Sequence, residues 1–279
     1  MRSSGILLSV TSLPSKYGIG CFSKAAYDFV DDLAEAGQIY WQILPLGPTS
    51  YGDSPYQTFS TIAGNPYLIS LEDLIEEGVL TEMECKAASF GEDPQRVDYQ
   101  ALFDNRLDLL HRAYERSEIY KNVQYQKFCR ENFWWLDDYA LFMSVKEFFG
   151  GASWTQWPND IRMHYGFALD YYREKLYFQV EFQKYLQFKF YEQWSKLKKY
   201  ANDKNIQIVG DMPIYVSPDG SDIWAQPEMF QLDANNMPTQ IAGCPPDNFS
   251  ADGQVWGNPL YRWDYHKATG YHWWVTRMW

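Results

Sequence analysis

Residues 5–46 read GILLSVTSLPSKYGIGCFSKAAYDFVDDLAEAGQIYWQILPL, and this stretch decides the fold. The apolar run at residues 6–10 is continuous, which is typical of a parallel strand covered on both faces. Ser23 is placed to cap a helix that runs to about Glu35, with apolar residues along one side. A second apolar run at residues 40–46 predicts the next strand. The order strand, helix, strand predicts a parallel sheet with a right-handed crossover.

A long helical stretch follows before the strand pattern returns. Apolar residues keep a helical period across residues 101–149 and again across 171–200, with Gly150-Gly151 as a break. The apolar, β-branched segment 206–216 predicts a third strand. We therefore expect an α/β protein with a large, mainly helical insertion between strands two and three. The predicted division is 1–57 for the first β/α units, 58–204 for the insertion, and 205–279 for the third strand, a substrate loop and the start of the next helix.

Two loops carry the residues with the most evident chemistry. They are YGDSPYQ at residues 51–57 and AGCPPDNFSADGQVWGNP at residues 242–259. Both are dense in Gly, Pro, Asp and aromatic residues, and loops held on rigid strands are common places for binding and catalysis. Such residues bind hydroxyl groups and stack on flat faces. Nothing in either loop is typical of a phosphate, metal or nucleic-acid site.

Charge and composition restrict the partners. The formal net charge is −12 and the sequence pI is about 4.8. An acidic chain lacks the basic face that nucleic acids and anionic membranes require, so an uncharged substrate is expected. No window reaches the roughly 20 apolar residues of a membrane span. The four cysteines show no CxxC pair and no zinc spacing, which suits a cytoplasmic protein with reduced thiols.

Several longer strings resemble one known family. They are SLPSKYGIG (12–20), YWQILPLGPTSYGDSPYQ (40–57), AGNPYLI (63–69), WWLDDYALF (134–142), GDMPIYV (210–216) and GQVWGNPLYRWD (253–264). In this order they resemble the amylomaltases, the 4-alpha-glucanotransferases of glycoside hydrolase family 77. The resemblance implies the amino-terminal part of a (β/α)8 TIM barrel, of which this chain holds the first three strands. In such barrels the active site lies at the carboxyl ends of the strands.

The resemblance also implies a reaction, the retaining transfer of α-1,4-glucan segments between maltooligosaccharides or starch-like glucans. One carboxylate forms a covalent glycosyl-enzyme, and a second carboxyl group about 5–5.5 Å away serves as acid and then as base. No cofactor and no metal are expected. The family's nucleophile lies in an Arg-Ile-Asp-His-like string on the fourth strand, which is expected after residue 279. We therefore expect this chain to be a fragment without the nucleophile or the acid/base group, and to be inactive alone.

Three residues of the first loop and the third strand match family positions around the scissile sugar, and Asp53 precedes two of them in the loop. Asp211 is expected to support the catalytic centre without attacking the sugar, or simply to close a strand-end turn. Ser54 and Tyr56 match groove residues, although the SPY string also suits a plain tight turn. Asp53 is expected to bond either a sugar hydroxyl or its own backbone.

The second loop matches the family's mobile acceptor-side loop. Trp256 is expected to stack on an acceptor glucose, the alternative being a core tryptophan that anchors the loop. Asp247, Gln254 and Asn258 are polar candidates for substrate contacts in the same loop. Tyr51, in the first loop, is expected either to belong to a second, remote glucan-binding site or to pack under the insertion.

We predict a cytoplasmic 4-alpha-glucanotransferase that acts on α-1,4-glucan, with no nucleic-acid or membrane partner and with its oligomeric state left open. The alternative from another class is a non-catalytic α-glucan-binding protein that uses the aromatic groove alone. A hydrolase or branching enzyme of the same clan is disfavoured by the GQVWGNP and YGDSPYQ strings.

Overall fold

The computed structural model describes residues 2–50, 52–93 and 95–278. Its strands are β1 Gly5–Leu7, β2 Tyr40–Gln42, β3 Gln207–Val209, β4 Ile241–Cys244 and β5 Gln254–Pro259. Its helices are α1 Lys24–Glu35, α2 Leu71–Glu76, α3 Glu82–Ala87, α4 Tyr99–Ser117, α5 Val123–Phe148, α6 Asn159–Arg162, α7 Gly166–Lys175, α8 Tyr177–Asp203, α9 Ser221–Ala225, α10 Trp263–Ala268 and α11 His272–Arg277. The chain forms two compact units, the first made of residues 1–46, 64–133 and 182–211, and the second of 47–63, 134–181 and 212–279.

The first unit contains a parallel sheet in the order β1-β2-β3, as the strand–helix–strand pattern predicts. Helix α1 spans the predicted residues and buries Ala26, Val30 and Leu33. Ser23 occupies the N-cap position, but its side chain makes no capping hydrogen bond. The helix is therefore defined by its apolar face more than by its cap.

Strand β1 differs from the sequence prediction in two respects. It covers only Gly5–Leu7, and Val10, expected at the strand's end, begins a short 3-10 turn instead. The expectation that both faces are covered is wrong for this strand, since Ile6 is 43% and Leu7 is 58% exposed. Among the strands that the structure describes, β1 lies at the edge of the sheet and has a paired neighbour on one side only. Continuous apolar runs are typical of central strands.

Helices α2 to α8 lie between β2 and β3 in the chain, and the long helical stretches of the sequence are confirmed. Helix α5 ends at Phe148, immediately before the predicted Gly150-Gly151 break. The division into segments 1–57, 58–204 and 205–279 stays a prediction. So does the closure of the three strands into a barrel.

Two buried glutamines of α8 bind backbone groups of the 64–70 segment. Gln187 accepts from the Gly64 N–H at 2.7 Å and donates to the Gly64 carbonyl at 3.0 Å. Gln193 makes the same pair of bonds with Ser70, at 2.7 and 3.4 Å. A Cβ at Gly64 would overlap the ring of Phe190 on the same helix. Helix α8 thus satisfies backbone groups on either side of the 3-10 turn at Pro66–Leu68.

The second unit has its own core, built around Phe142, Trp154, Trp224 and Tyr261. The indole N–H of Trp224 donates to the Ile161 carbonyl at 2.8 Å, so this large ring is buried with its polar atom satisfied. Strands β4 and β5 form an antiparallel hairpin in this unit. This unit carries most of the predicted site residues.

Candidate functional site

The first predicted loop is a hairpin formed by residues 48–59. Phe59 N–H donates to the Pro48 carbonyl at 3.1 Å, and Ser50 N–H donates to the Gln57 carbonyl at 3.0 Å. At its tip Asp53 has φ +54°, in the left-handed region that Asp and Asn tolerate better than most residues. We call this element the 48–59 hairpin. These two backbone hydrogen bonds join the two sides of the hairpin and fix the orientation of its tip.

The 48–59 hairpin carries three of the predicted site residues. The ring of Tyr56 is 46% exposed. Ser54 Oγ accepts from the Tyr56 N–H at 3.3 Å, which fixes the turn before the ring. Burial raises the pKa of the Asp53 carboxyl, and a hydrogen bond with Thr49 acts in the opposite direction. Tyr51 lies outside the described residues.

Side-chain hydrogen bonds hold residues 58–61, which form the foot of the 48–59 hairpin. Thr58 Oγ1 donates to the Pro48 carbonyl at 2.9 Å and contacts the Ser60 carbonyl at 2.8 Å. Thr61 donates twice to Asp222, from its N–H at 2.9 Å and from its hydroxyl at 2.7 Å. Burial raises the pKa of Asp222, and the bonds from Thr61 lower it. No motif in the sequence marks Thr61 or Asp222 as site residues.

The second predicted loop is the β4–β5 hairpin and its connection. Asp247 Oδ1 accepts from the backbone N–H groups of Phe249 and Ser250, both at 2.8 Å. Gly253 has φ +72°, and a Cβ there would crowd the Cys244 carbonyl across the turn. Asp247 therefore shapes the connection through its own backbone. Its predicted contact with substrate stays a prediction.

Trp256 projects from β5 with 45% of its surface exposed. Its indole N–H donates to Gln254 Oε1 at 2.9 Å, two residues earlier on the same strand. Its ring lies 6.2 Å from the ring of Tyr215, which in turn stacks on Tyr261 at 6.0 Å and 9°. Gln254 and Tyr215 thus restrain an indole that keeps a solvent-facing side. The contact with Tyr215 has no signal in the sequence.

Asn258 belongs to a set of side chains that hold the segment after β3. It is buried, and its amide donates to the Val216 carbonyl at 2.6 Å. Tyr261 OH donates to the Ile214 carbonyl at 2.7 Å, and the Trp154 indole donates to the Pro218 carbonyl at 2.8 Å. These bonds satisfy an irregular backbone that no strand pairs. Asn258 therefore has a structural partner, and its contact with substrate stays a prediction.

The structure places seven of the predicted residues in the second unit: Asp53, Ser54, Tyr56, Asp247, Gln254, Trp256 and Asn258. Asp211 falls in the first unit, two residues after β3, and is partly buried. Within the described ranges, no group of three or more His, Cys, Asp or Glu side chains is arranged to hold a metal ion. No helix in the part of the chain that the structure describes is long and apolar enough to cross a membrane.

Comparison with known proteins decides the family. The profile of glycoside hydrolase family 77, described as 4-alpha-glucanotransferase, matches residues 8–279. The chain belongs to this family. It is 48% identical to a 4-alpha-glucanotransferase of Streptococcus pneumoniae over 99% of this chain and 55% of that protein. It is 44% identical to the 4-alpha-glucanotransferase of Thermus thermophilus over 99% of this chain and 55% of that protein.

A solved relative has the same fold as this family member. The amylomaltase of Streptococcus agalactiae, solved in complex with acarbose, matches with a TM-score of 0.96 and 47% identity. The match covers 99% of this chain and 56% of the amylomaltase. The chain therefore spans about half the length of the relatives it matches. The resemblance found in the sequence strings is confirmed.

Proposed function

We propose that the full-length protein is a 4-alpha-glucanotransferase, which cuts an α-1,4 bond and passes the glucan segment to another glucan or to glucose. One observation carries the proposal: the family profile matches residues 8–279, a range that includes both candidate loops. The partly exposed rings of Tyr56 and Trp256 are of the type that packs on the apolar faces of glucose rings. The net charge of −12 suits an uncharged polymer better than an anion.

For the fold, we propose that β1, β2 and β3 are the first three strands of a (β/α)8 barrel with a helical insertion before β3. The 48–59 hairpin then follows β2 and Asp211 follows β3, and the carboxyl ends of the strands are where such barrels carry their chemistry. The proposed boundaries are 1–57, 58–204 and 205–279. The exposed apolar side chains of β1 suit a strand that gains a further neighbour in the full-length protein.

In the proposed reaction, the residues of this chain bind and orient the glucan. Tyr56 covers a sugar face beside the scissile bond, and Ser54 fixes the turn that presents it. Trp256 stacks on an acceptor sugar, with Gln254 holding its indole N–H. Asp211 supports the catalytic centre through hydrogen bonds. Asp53, Asp247 and Asn258 shape the two loops or contact hydroxyl groups.

The covalent steps of retaining transfer need two carboxyl groups about 5–5.5 Å apart. We assign neither role to a residue of this chain, because its motifs match the family's binding and supporting positions only. The chain alone is accordingly proposed to be inactive. Neither the relatives nor the fold favours the alternative of a non-catalytic glucan-binding protein.

Incubation with maltotriose tests the proposal. The full-length protein is expected to form glucose together with maltopentaose and longer oligomers, whereas residues 1–279 alone are expected to form neither. Product chromatography over time distinguishes transfer from hydrolysis, because hydrolysis yields no oligomer longer than the substrate. A full-length protein that binds maltoheptaose without forming longer products would establish the binding-protein alternative instead.

A further inference from the structure

The backbone at the end of the 48–59 hairpin, residues 59–61, is hydrogen-bonded to the start of α9 in the same unit. Asp222, in the first turn of that helix, accepts from the Thr61 N–H with one carboxylate oxygen and from the Thr61 hydroxyl with the other. The two bonds measure 2.9 and 2.7 Å, the usual lengths for an N–H and a hydroxyl donor. Two bonds between one pair of residues fix orientation as well as distance.

Phe59 provides a second attachment two residues earlier. Its carbonyl accepts from the N–H of Ser221 at 2.7 Å and from the Ser221 hydroxyl at 3.0 Å. Its ring lies under the ammonium group of Lys146 at 5.1 Å from the centroid. Lys146 is itself held by Asp219 at 2.6 Å. The backbone from Phe59 to Thr61 is therefore held from several directions at once.

A small rotation of the backbone at residues 58–61, the foot of the hairpin, displaces the tip of the hairpin by a larger distance. The tip lies about four residues from the foot, which at ~3.4 Å per residue is a length of roughly 13 Å. A rotation of about 4–5° at the foot therefore moves the tip by ~1 Å. A misplacement of about 1 Å in a group that positions substrate is enough to lower a rate by ~100-fold.

We propose that Asp222, acting through Thr61, is a positioning residue that aims the 48–59 hairpin, and with it Ser54 and Tyr56, at the glucan. The proposal rests on the transferase function proposed above and deepens it. Asp222 touches no reacting atom in this scheme. Its effect on catalysis is transmitted by the backbone between Thr61 and the hairpin tip.

Paired variants of the full-length protein test this role. Asp222→Ala removes both acceptors, and Thr61→Val removes one bond while keeping the side-chain shape. Asp222→Asn and Thr61→Ser are conservative partners, because an amide can accept from the Thr61 N–H and donate to its hydroxyl. Ser144→Ala serves as the control, since it removes a buried hydroxyl that bonds only the Ala140 carbonyl of its own helix, at 2.8 Å.

The expected result is a kinetic loss out of proportion to the loss of stability. D222A and T61V are expected to lower kcat/KM with maltotriose by ~10–100-fold, with a raised KM and a lower ratio of transfer to hydrolysis. The KM and the ratio of transfer to hydrolysis do not depend on the fraction of folded protein, so destabilisation alone leaves both values unchanged. The conservative variants are expected to retain most of the wild-type values, and S144A to lower the melting temperature only.

Each outcome decides the question. The inference is overturned if T61V and D222A keep the wild-type KM and the wild-type ratio of transfer to hydrolysis. It is also overturned if S144A changes the KM and this ratio as much as they do. In either case the proposed function stands. If the wild-type protein forms no oligomer longer than maltotriose, the proposed function fails, and the inference fails with it. If D222A does not fold, T61V is read in its place, because it keeps the bond from the residue-61 N–H to Asp222.

Discussion

Replacement of Gln187 by Met is expected to destabilise the first unit strongly. The side chain is fully buried and makes two hydrogen bonds with Gly64, at 2.7 and 3.0 Å. Met has a similar volume and no amide, so the Gly64 N–H and carbonyl would stay buried without partners. Each such group costs ~1–3 kcal/mol, which gives a predicted loss of about 2–6 kcal/mol.

Urea unfolding followed by circular dichroism measures this loss. With a slope of about 2 kcal/mol per molar urea, a loss of about 4 kcal/mol, the middle of the range, lowers the midpoint by ~2 M. Gln179→Met is the matched control, because Gln179 is exposed on the same helix. It is expected to change the free energy of unfolding by less than about 0.5 kcal/mol. Gln193→Met is expected to fall between the two, because one of its bonds is long, at 3.4 Å.

Two results would refute the reasoning. One is a midpoint for Q187M that equals the wild-type value, and the other is an equal loss in Q179M. Amide exchange gives a local check, because the Gly64 N–H should lose protection before its neighbours if its partner is gone. Unchanged protection at Gly64 would show that water or another group replaces the glutamine.

Three other predictions concern single side chains. Gly64→Ala is expected to cost ~1–3 kcal/mol in urea unfolding, because its Cβ would overlap Phe190; wild-type stability would contradict this. Arg116, with a smaller contribution from Thr81, lowers the pKa of Glu84 to about 2, so the stabilisation is complete above about pH 4.5 and is lost as the pH falls toward 2. The melting-temperature gap between wild type and Glu84→Gln should therefore shrink from pH 5 to pH 3, and a constant gap would exclude this linkage. Trp256→Ala in the full-length protein should lower transfer more than hydrolysis, and equal losses would remove Trp256 from the acceptor role.

Local patterns predict the elements of this fold well where periodicity is strong. Helix α1 matches its predicted span, and helix α5 ends where Gly150-Gly151 indicates. The second strand is shorter than its apolar run, because it ends at Gln42 and Leu46 instead accepts from the Asn65 N–H at 2.8 Å. An apolar run records burial, whereas a strand also needs a paired neighbour. At the end of this run the residues are still partly buried but no longer pair with a neighbouring strand in the described part of the chain.

The candidate site is predictable as two loops but not as a supported structure. The residues of YGDSPYQ and GQVWGNP stand out in the sequence because their composition is unusual. The groups that hold them do not, since Thr61 and Asp222 are 161 positions apart and Gln187 and Gly64 are 123 apart. A Thr, an Asp or a Gln in a polar context carries no local mark of such a partner. Only the fold brings these pairs together.

The two strand partners of β2 become available at different times during synthesis of the chain. Tyr40 pairs with Gly5 across a short crossover but with Gln207 only after about 165 further residues. At ~5–20 residues per second, the ribosome needs roughly 8–33 s to supply that partner. The extra closure entropy is small, about 1.4 kcal/mol relative to the first crossover. The delay is thus set by translation, and throughout it one side of β2 offers unpaired peptide groups to any nascent neighbour.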